Sequence, residues 1–457
     1  MQTSPEATSD RTSLLDTLAV YGRPRVLIVL FLGFSAGLPL ALSGATLLYW
    51  MREAGVDLRT IGLFALVGTP YTIKFLWAPL VDALDVPILS PLLGRRRGWL
   101  ILSQLLLMVA ILALGLCDPA TAPWLVAVGA LLVAAASSTQ DIVIDAFRVE
   151  SLSESEQAAG MASYVAAYRI GMLVSGAGAL FLVSGMERLG FSQHAAWAMA
   201  YAIMAAFVLI GIATTLCATE PKKSAVANVD HAQHAKQNAL RRVAEEAVAA
   251  FLDFLTHNMA WIALVFVVLF KFTDAFAGIM TAPFVIDIGF SRDEYATIVK
   301  GVGLAATLIG GFAGGFVARA YPLGTSLWIG GILQSVANLV FCWLAVVGAN
   351  ATALTFAITV WNFTDAIGTV IFVAYLSALC RNPLHTATQY AILTALAAVG
   401  RTYLSSSAGF VAAATGWVWF FAISAAVGIP SLLLLAYLQR RGHFVELDDS
   451  SAAQTTT

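Results

Sequence analysis

Twelve runs of roughly 18 to 28 mostly apolar residues fill this 457-residue chain, each long enough to cross a ~30 Å hydrocarbon core as a helix. They fall near 25–50, 60–82, 99–117, 121–147, 158–184 and 194–217, then near 258–285, 295–319, 324–347, 352–379, 387–412 and 417–438. Inside lipid, backbone N–H and C=O groups must be satisfied within the segment, so runs of this length predict helices. Only 11% of the residues are charged and the mean hydropathy is +0.82, against about 25% charged residues in a soluble domain. The expected class is an all-α integral membrane protein.

The spans divide six and six around 218–257, the longest polar stretch, which reads as a cytoplasmic linker. From about Ala235 its apolar residues recur at helical spacing, with Arg241, Arg242, Glu245 and Glu246 on the other side, which predicts an amphipathic surface helix. The expected layout is an N-terminal tail 1–24, a bundle 25–217, the linker, a second bundle 258–438 and a tail 439–457. The polar first ~20 residues contain no short apolar stretch with a small-residue cleavage site, so no cleaved signal peptide is expected. An even number of spans puts both termini on one side. That side carries fourteen Lys and Arg (11, 23, 25, 95, 96, 97, 222, 223, 236, 241, 242, 381, 440, 441), and the opposite loops carry four, Arg52, Arg59, Arg188 and Arg292. Cytoplasmic loops are the basic ones, so both termini are expected in the cytoplasm.

The halves echo each other. EQAAGMASYVAAYRIGMLVSGAG in span five has Gln157 twelve residues before Arg169 and Ser175 six after it; TQYAILTALAAVGRTYLSSSAG in span eleven repeats those offsets with Gln389, Arg401 and Ser407. Weaker echoes pair LWAPLVDA (76–83) with GGFVARA (314–320), and TQDIVIDA from 139 with NFTDAIGT from 362. Two pseudo-symmetric six-helix bundles of like topology describe the major facilitator fold, a transporter architecture built by duplication.

Charges inside spans are costly and face a bundle interior or a wet cavity. Arg169 lies twelve residues, ~18 Å, into span five, and Arg401 reaches the same depth in span eleven, too deep to snorkel. Each either neutralises a buried Asp of a neighbouring helix or meets substrate directly. SSTQDIVIDAFRVE (137–150) places Asp141, Asp145 and Arg148 on one helical face; Asp141 is deep enough to reach the arginine layer, and Asp145 with Arg148 lies nearer the cytoplasmic surface. Lys271 and Asp274, spaced i, i+3, either pair with each other or serve the cavity, and Asp365 is the matching acid of span ten. Lys300, five residues into span eight, is expected to gate or snorkel rather than bind.

Asp82, closing span two, and GRRRGW (94–99), opening span three, form a candidate cytoplasmic latch of charged hydrogen bonds between Asp82 and Arg95, Arg96 and Arg97; alternatively the arginines only enforce topology. Gly33, Gly37, Gly44, Gly171, Gly176, Gly178, Gly314 and Gly315 are expected to permit close helix approach. No HExxH, Walker or Gly-x-Ser-x-Gly sequence is present, and the four cysteines show no metal-ligand spacing, so neither an enzyme nor a metal site is expected. Without a P-loop, transport would draw on an ion gradient, with embedded carboxylates as proton carriers.

Longer stretches are more specific. GFSAGLPLALSGATLLYWM (33–51), DLRTIGLFALVGTPYTIKFLWAPLVDA (57–83), LGRRRGWL (93–100), SSTQDIVIDAFRVE and YRIGMLVSG (168–176) resemble the AmpG muropeptide permease family of the major facilitator superfamily. KFTDAFAG (271–278), KGVGLAATLIGG (300–311) and ATQYAILTALAAVGRTYL (387–404) continue the likeness through the second half. The chain departs from that pattern in span ten, where Trp361 and Asn362 stand at the expected acid position and the acid is Asp365.

The resemblance implies a proton-driven importer of N-acetylglucosaminyl-anhydro-N-acetylmuramyl peptides across the bacterial inner membrane, serving cell-wall recycling and, in some bacteria, β-lactamase induction. Lys74, Arg169, Lys271 and Arg401, with Gln140, are then expected to meet the anionic ligand. Asp141, Asp274 and Asp365 are expected to carry protons, and Asp82, Arg95, Arg96, Arg97, Asp145 and Arg148 to form the gate. The expected partners are this small glycopeptide and the lipid bilayer, with no cofactor beyond the proton gradient, no nucleic acid, and a monomeric chain. Siderophore importers, acetyl-CoA transporters and light-harvesting assembly factors share parts of the pattern, which leaves another anionic cargo or a non-transporting assembly role as alternatives.

Overall fold

The computed structural model of the protein describes residues 19–221, 259–380, 386–445 and 447. Twelve membrane-length segments follow one another, with no strand among the described residues. Ten are helices long and apolar enough to cross a membrane: α1 (Pro24–Glu53), α3 (Arg95–Gly115), α4 (Pro123–Ser151), α5 (Ser155–Arg188), α6 (Gln193–Cys217), α7 (Ala260–Asp287), α8 (Arg292–Ala320), α9 (Leu323–Val347), α10 (Ala351–Leu379) and α12 (Trp417–Arg440). Between them α2 (58–83) and α11 (386–415) occupy the two remaining expected spans as strings of shorter helical pieces. The expected linker helix after Ala235 lies outside the described residues, as do most of both tails.

The breaks in α2 have local causes. Pro70 and Pro79 cannot donate to the carbonyl four residues back, and tight 3-10 turns form over Phe64–Gly68 and Lys74–Leu76. The carbonyl of Leu66, left without the amide of Pro70, accepts from the hydroxyl of Thr69 at 2.6 Å, so the break costs no unsatisfied backbone group there.

Small residues bring the helices together. A methyl group on Gly37 of α1 would stand 2.1 Å from the carbonyl oxygen of Tyr168 on α5, and one on Gly171 would stand 2.4 Å from that of Phe34. The second half repeats the pairing, with Gly400 of α11 against the Val268 carbonyl of α7. Gly33 and Gly314 make similar approaches, whereas Gly315 faces open space and Gly176 meets the stem of Lys300. Outward-facing side chains such as Phe312 and Phe316, 84% and 72% exposed, form the surface for lipid.

The packing differs between the two ends of the molecule. At the end away from the termini, the far end, one buried cluster joins both halves and includes Trp50, Trp197, Phe284, Phe341 and Phe421. At the terminal end the cores are separate: Leu100, Val143 and Phe147 belong to one half, and Phe266, Phe270 and Tyr375 to the other. Among the described residues the halves are therefore clamped at the far end and parted at the terminal end.

Candidate functional site

Between the halves lies a cavity of about 500 Å³ lined from both bundles. Its wall is largely apolar, with hydroxyls from Ser43, Tyr71, Thr307, Thr402 and Ser405 and the amide of Asn362. Arg169, Lys300 and Arg401 also line it, and among the described residues no carboxylate does. The backbone explains how they get there. Arg169 sits one turn before a π segment of α5, Val174–Gly178, and Lys300 lies within a longer π segment of α8, Tyr295–Val302; the two π segments pack on each other. Arg401 is next to Thr402, whose hydroxyl meets that of Thr72 on α2 at 3.0 Å across the halves. Among the described residues none of these three cationic groups has an ion pair or hydrogen bond.

The expected alternative for the arginines, neutralising buried acids, is not what the structure contains; lysines do that. Lys74 Nζ lies 4.0 Å from Asp141 Oδ2, whose other oxygen has no hydrogen-bond partner. In the second half Lys271 Nζ is 3.2 Å from Asp274, 3.7 Å from Asp365 and 2.8 Å from the hydroxyl of Thr369, and Gln334 donates to Asp274 at 2.7 Å. Each half thus carries a lysine–carboxylate cluster beside the cavity, one acid in the first and two in the second. Neither lysine lines the cavity wall. Gln140 is fully buried, its amide reaching Ser35 of α1 at 3.4 Å, and does not line the wall either. Spacing alone could not tell which way each residue turns around its helix.

At the terminal end Arg96 Nη1 pairs with Asp82 at 2.6 Å and Nη2 with Glu150 at 2.5 Å, while Arg95 donates to the backbone carbonyl of Asp82. Arg97 donates to the carbonyls of Thr215 and Leu216, and Glu220 caps the start of α3 by accepting from the amides of Arg96 and Arg97. The arginine loop ties α2, α3, α4 and the end of α6 together within one half. Asp145 and Arg148 pair with each other at 3.8 Å instead of joining Asp82, and Glu150 takes the place expected for them.

The far end holds a network the sequence reading missed. Arg292 bridges Glu53 at 2.5 Å and Glu187 at 2.7 Å, Arg52 pairs with Asp287 at 2.5 Å, and Arg188 pairs with Asp293. Trp197 donates to Glu53 and Trp417 to Asp287, and the ring of Tyr49 packs on that of Tyr295 at 4.7 Å. All four ion pairs join the two halves. The sequence signal lies in Glu53, Glu187, Asp287 and Asp293, acids close in sequence to these arginines, whereas a count of Lys and Arg alone carries only topology. Lys300, expected to gate or snorkel rather than bind, lines the cavity; its positions i±3 and i±4 hold no acid, unlike Lys271 with Asp274. Asn362, at the departure in α10, lines the cavity and accepts from Thr307, and Trp361 donates to Asn338.

Comparison with known proteins agrees with this geometry. The sequence model of the Major Facilitator Superfamily matches residues 29–404. The chain is 39% identical over 440 residues to the anhydromuropeptide permease of Escherichia coli K12, covering 96% of this chain and 84% of that one. It is 33% identical to a putative transporter AmpG 4 of Rickettsia felis, over 91% and 97% of the two chains. The crystal structure of a mutant of the nucleoside transporter NupG superposes with a TM-score of 0.67 at 16% identity, over 93% and 99% of the chains, a likeness of fold. The chain is a multi-pass membrane transporter of the Major Facilitator Superfamily and belongs, within it, to the AmpG family.

Proposed function

We propose that this protein imports anhydromuropeptides across a bacterial inner membrane in symport with protons, as a monomer with both termini in the cytoplasm. The observation that carries the reading is the cavity lined, among the described residues, by three cations without an ion pair and by no carboxylate, in a chain 39% identical over 96% of its length to a permease named for that ligand. The excess of Lys and Arg at the terminal end supports a cytoplasmic placement, which makes the parted end the inward-facing mouth. One chain holds the whole cavity, so a monomer suffices.

Arg169 and Arg401 present planar, doubly donating groups to ligand carboxylates from opposite halves, and a ligand bridging them favours the halves approaching each other. Lys74 and Lys271 hold the carboxylates of Asp141, Asp274 and Asp365. A proton arriving on Asp141 cancels its charge and frees Lys74; a proton on Asp274 or Asp365 leaves Lys271 one acid in place of two. These steps join protonation to the charge balance beside the cavity. The Arg96 cluster keeps the first bundle rigid at its cytoplasmic end, and the far-end ion pairs close the periplasmic side in this conformer.

The test is uptake of labelled anhydromuropeptide into spheroplasts expressing the protein, with and without a protonophore. Uptake that collapses with the protonophore is expected. Failure to take up the ligand rejects the substrate, and uptake indifferent to the proton gradient rejects the coupling.

A further inference from the structure

Three polar oxygens of the first bundle are buried and, among the described residues, have no hydrogen-bond partner: the hydroxyls of Tyr71 and Ser137 and Oδ1 of Asp141. Buried polar groups are nearly always paired, so three such atoms call for a physical reason. They share one neighbourhood. Ser137 stands one turn before Asp141 on α4, and Tyr71 stands about one turn before Lys74 on α2. The two helices are tied at this level by Lys74 with Asp141 at 4.0 Å and by Trp77, whose indole donates to Thr139 at 3.2 Å. The groups that act electrostatically on the Tyr71 hydroxyl are Asp141, Ser137, Tyr168 and Ser43.

This layer lies between the cavity and the buried acid. Tyr71 and Ser43 line the cavity, whereas Ser137 and Asp141 do not. Tyr71 contributes to the wall while its hydroxyl oxygen is enclosed. Ser43 donates its hydroxyl to the Pro39 carbonyl at 2.9 Å, which leaves the lone pairs of its oxygen to receive a proton. A hydroxyl accepts and donates at the same time, so it passes a proton on without becoming charged, whereas the apolar residues of the wall do neither. Hydroxyls left unpaired by the backbone are free to turn from one neighbour to the next.

We propose that the Tyr71 hydroxyl is the port through which a proton passes between the cavity and Asp141, with Ser43 on its cavity side and Ser137 on its inner side. Each hydroxyl takes up one proton as it gives up another, so all three end neutral and the net change is one proton on Oδ1 of Asp141. The hydroxyls then turn back to their starting orientation. This rests on the proton-symport reading and deepens it: Tyr71 holds no proton of its own and contributes only to the rate at which Asp141 is loaded and unloaded.

The experiment uses the purified full chain in proteoliposomes and measures two rates with labelled anhydromuropeptide. One is uptake driven by a proton gradient; the other is exchange against unlabelled ligand inside with no gradient, in which the loaded carrier returns without releasing its proton. Tyr71→Phe should slow driven uptake about tenfold or more, the size of a lost proton-transfer step. Exchange should fall less than about twofold, because the ring on the cavity wall is kept and only an enclosed oxygen is removed. Ser137→Ala should give the same split, and Ser137→Thr, which keeps a hydroxyl, should restore driven uptake. Driven uptake unchanged in Tyr71→Phe overturns the proposal, and so does an equal fall in both rates, the mark of lost packing or of a ligand contact. If Tyr71→Phe does not fold, Ser137→Ala decides by the same criteria; loss of fold in both also overturns it, because a relay is dispensable for folding. Wild type whose uptake ignores the gradient rejects the symport reading instead, and wild type that takes up no ligand rejects the muropeptide reading.

Discussion

Asp141 is the residue on which the local chemistry turns. It is 9% exposed, one oxygen faces Lys74 at the edge of ion-pair distance, and the other has no partner among the described residues. A buried carboxylate held this loosely can exchange its partner cheaply, whereas Arg96, clamped between Asp82 and Glu150, cannot. Asp141→Asn keeps the shape and removes the titrating group; proton-driven uptake should fall at least tenfold while the amount of protein in the membrane stays unchanged. Retained uptake would reject its coupling role. A second residue-scale expectation concerns Asp57, which caps α2 by accepting from the amides of Arg59 and Thr60 and from the Thr60 hydroxyl at 2.6 Å. The Thr60 hydroxyl, with those backbone bonds, holds its carboxyl below the usual range. A lowered folded-state value means the capping contribution is present above the unfolded value near pH 4 and is lost as pH falls through the folded one. Asp57→Ala should therefore cost about 0.5–2 kcal/mol of stability at neutral pH and progressively less below about pH 4, measured as thermal midpoints in detergent. The sequence located the embedded charges and offered Asp274 as a partner of Lys271, a pair the structure contains, but it gave neither the partner of Lys74 nor the second acid on Lys271, because spacing along a helix does not say which side chains of neighbouring helices face it. Lys74 and Lys271 took the acids that the arginines were expected to share, and Gln140 turned away from the cavity.

The helices themselves were legible almost to their ends, since a membrane span is written in length and hydropathy and little else competes with that signal. What was not legible was how they deviate from ideal helices. The π segments of α5 and α8 carry no single residue that announces them, yet they bring Gly176 against Lys300. The glycines are easier to read in principle and harder in detail. Gly37, Gly171 and Gly314 pack against backbone as expected, but Gly315 beside them does not, again because only one of two neighbours faces the partner helix. Gly37→Ala would place a methyl group 2.1 Å from the Tyr168 carbonyl, and neither is the end of a flexible side chain that could move away. The helices must separate, at a cost of about 1–3 kcal/mol or more. The thermal midpoint should drop by several degrees, and binding should weaken with it, because Tyr168 adjoins Arg169. Gly315→Ala, facing open space, is the matched control and should change neither.

At the scale of the whole molecule, the conformational state was invisible to sequence. Arg52, Arg188 and Arg292 looked like a sparse set of external loop charges, and only the folded chain shows that each crosses to the other half. The single core at the far end and the two cores at the terminal end describe one state of a rocking transporter, and the ion pairs are the part of that closed end that can break without exposing a large apolar surface. Arg292 holds two acids from different helices, is 9% exposed at its side chain and lies over the Trp197 ring. Removing it deletes two charged pairs and leaves Glu53 and Glu187 facing each other, so the closed end loses attraction and gains repulsion together. Breaking a buried pair from one side costs about 3–5 kcal/mol, enough to shift a two-state equilibrium by at least a hundredfold. Leu48 lines the cavity from α1 and is 7% exposed in this state, which makes Leu48→Cys a reporter of far-end opening. In a protein whose four native cysteines are replaced by serine, a membrane-impermeant maleimide added from the far side should label Leu48→Cys at least tenfold faster when Arg292→Ala is also present. Lys74→Ala, which leaves the far end intact, should not accelerate labelling. Equal labelling with and without Arg292→Ala would mean that the aromatic core alone keeps the far end shut.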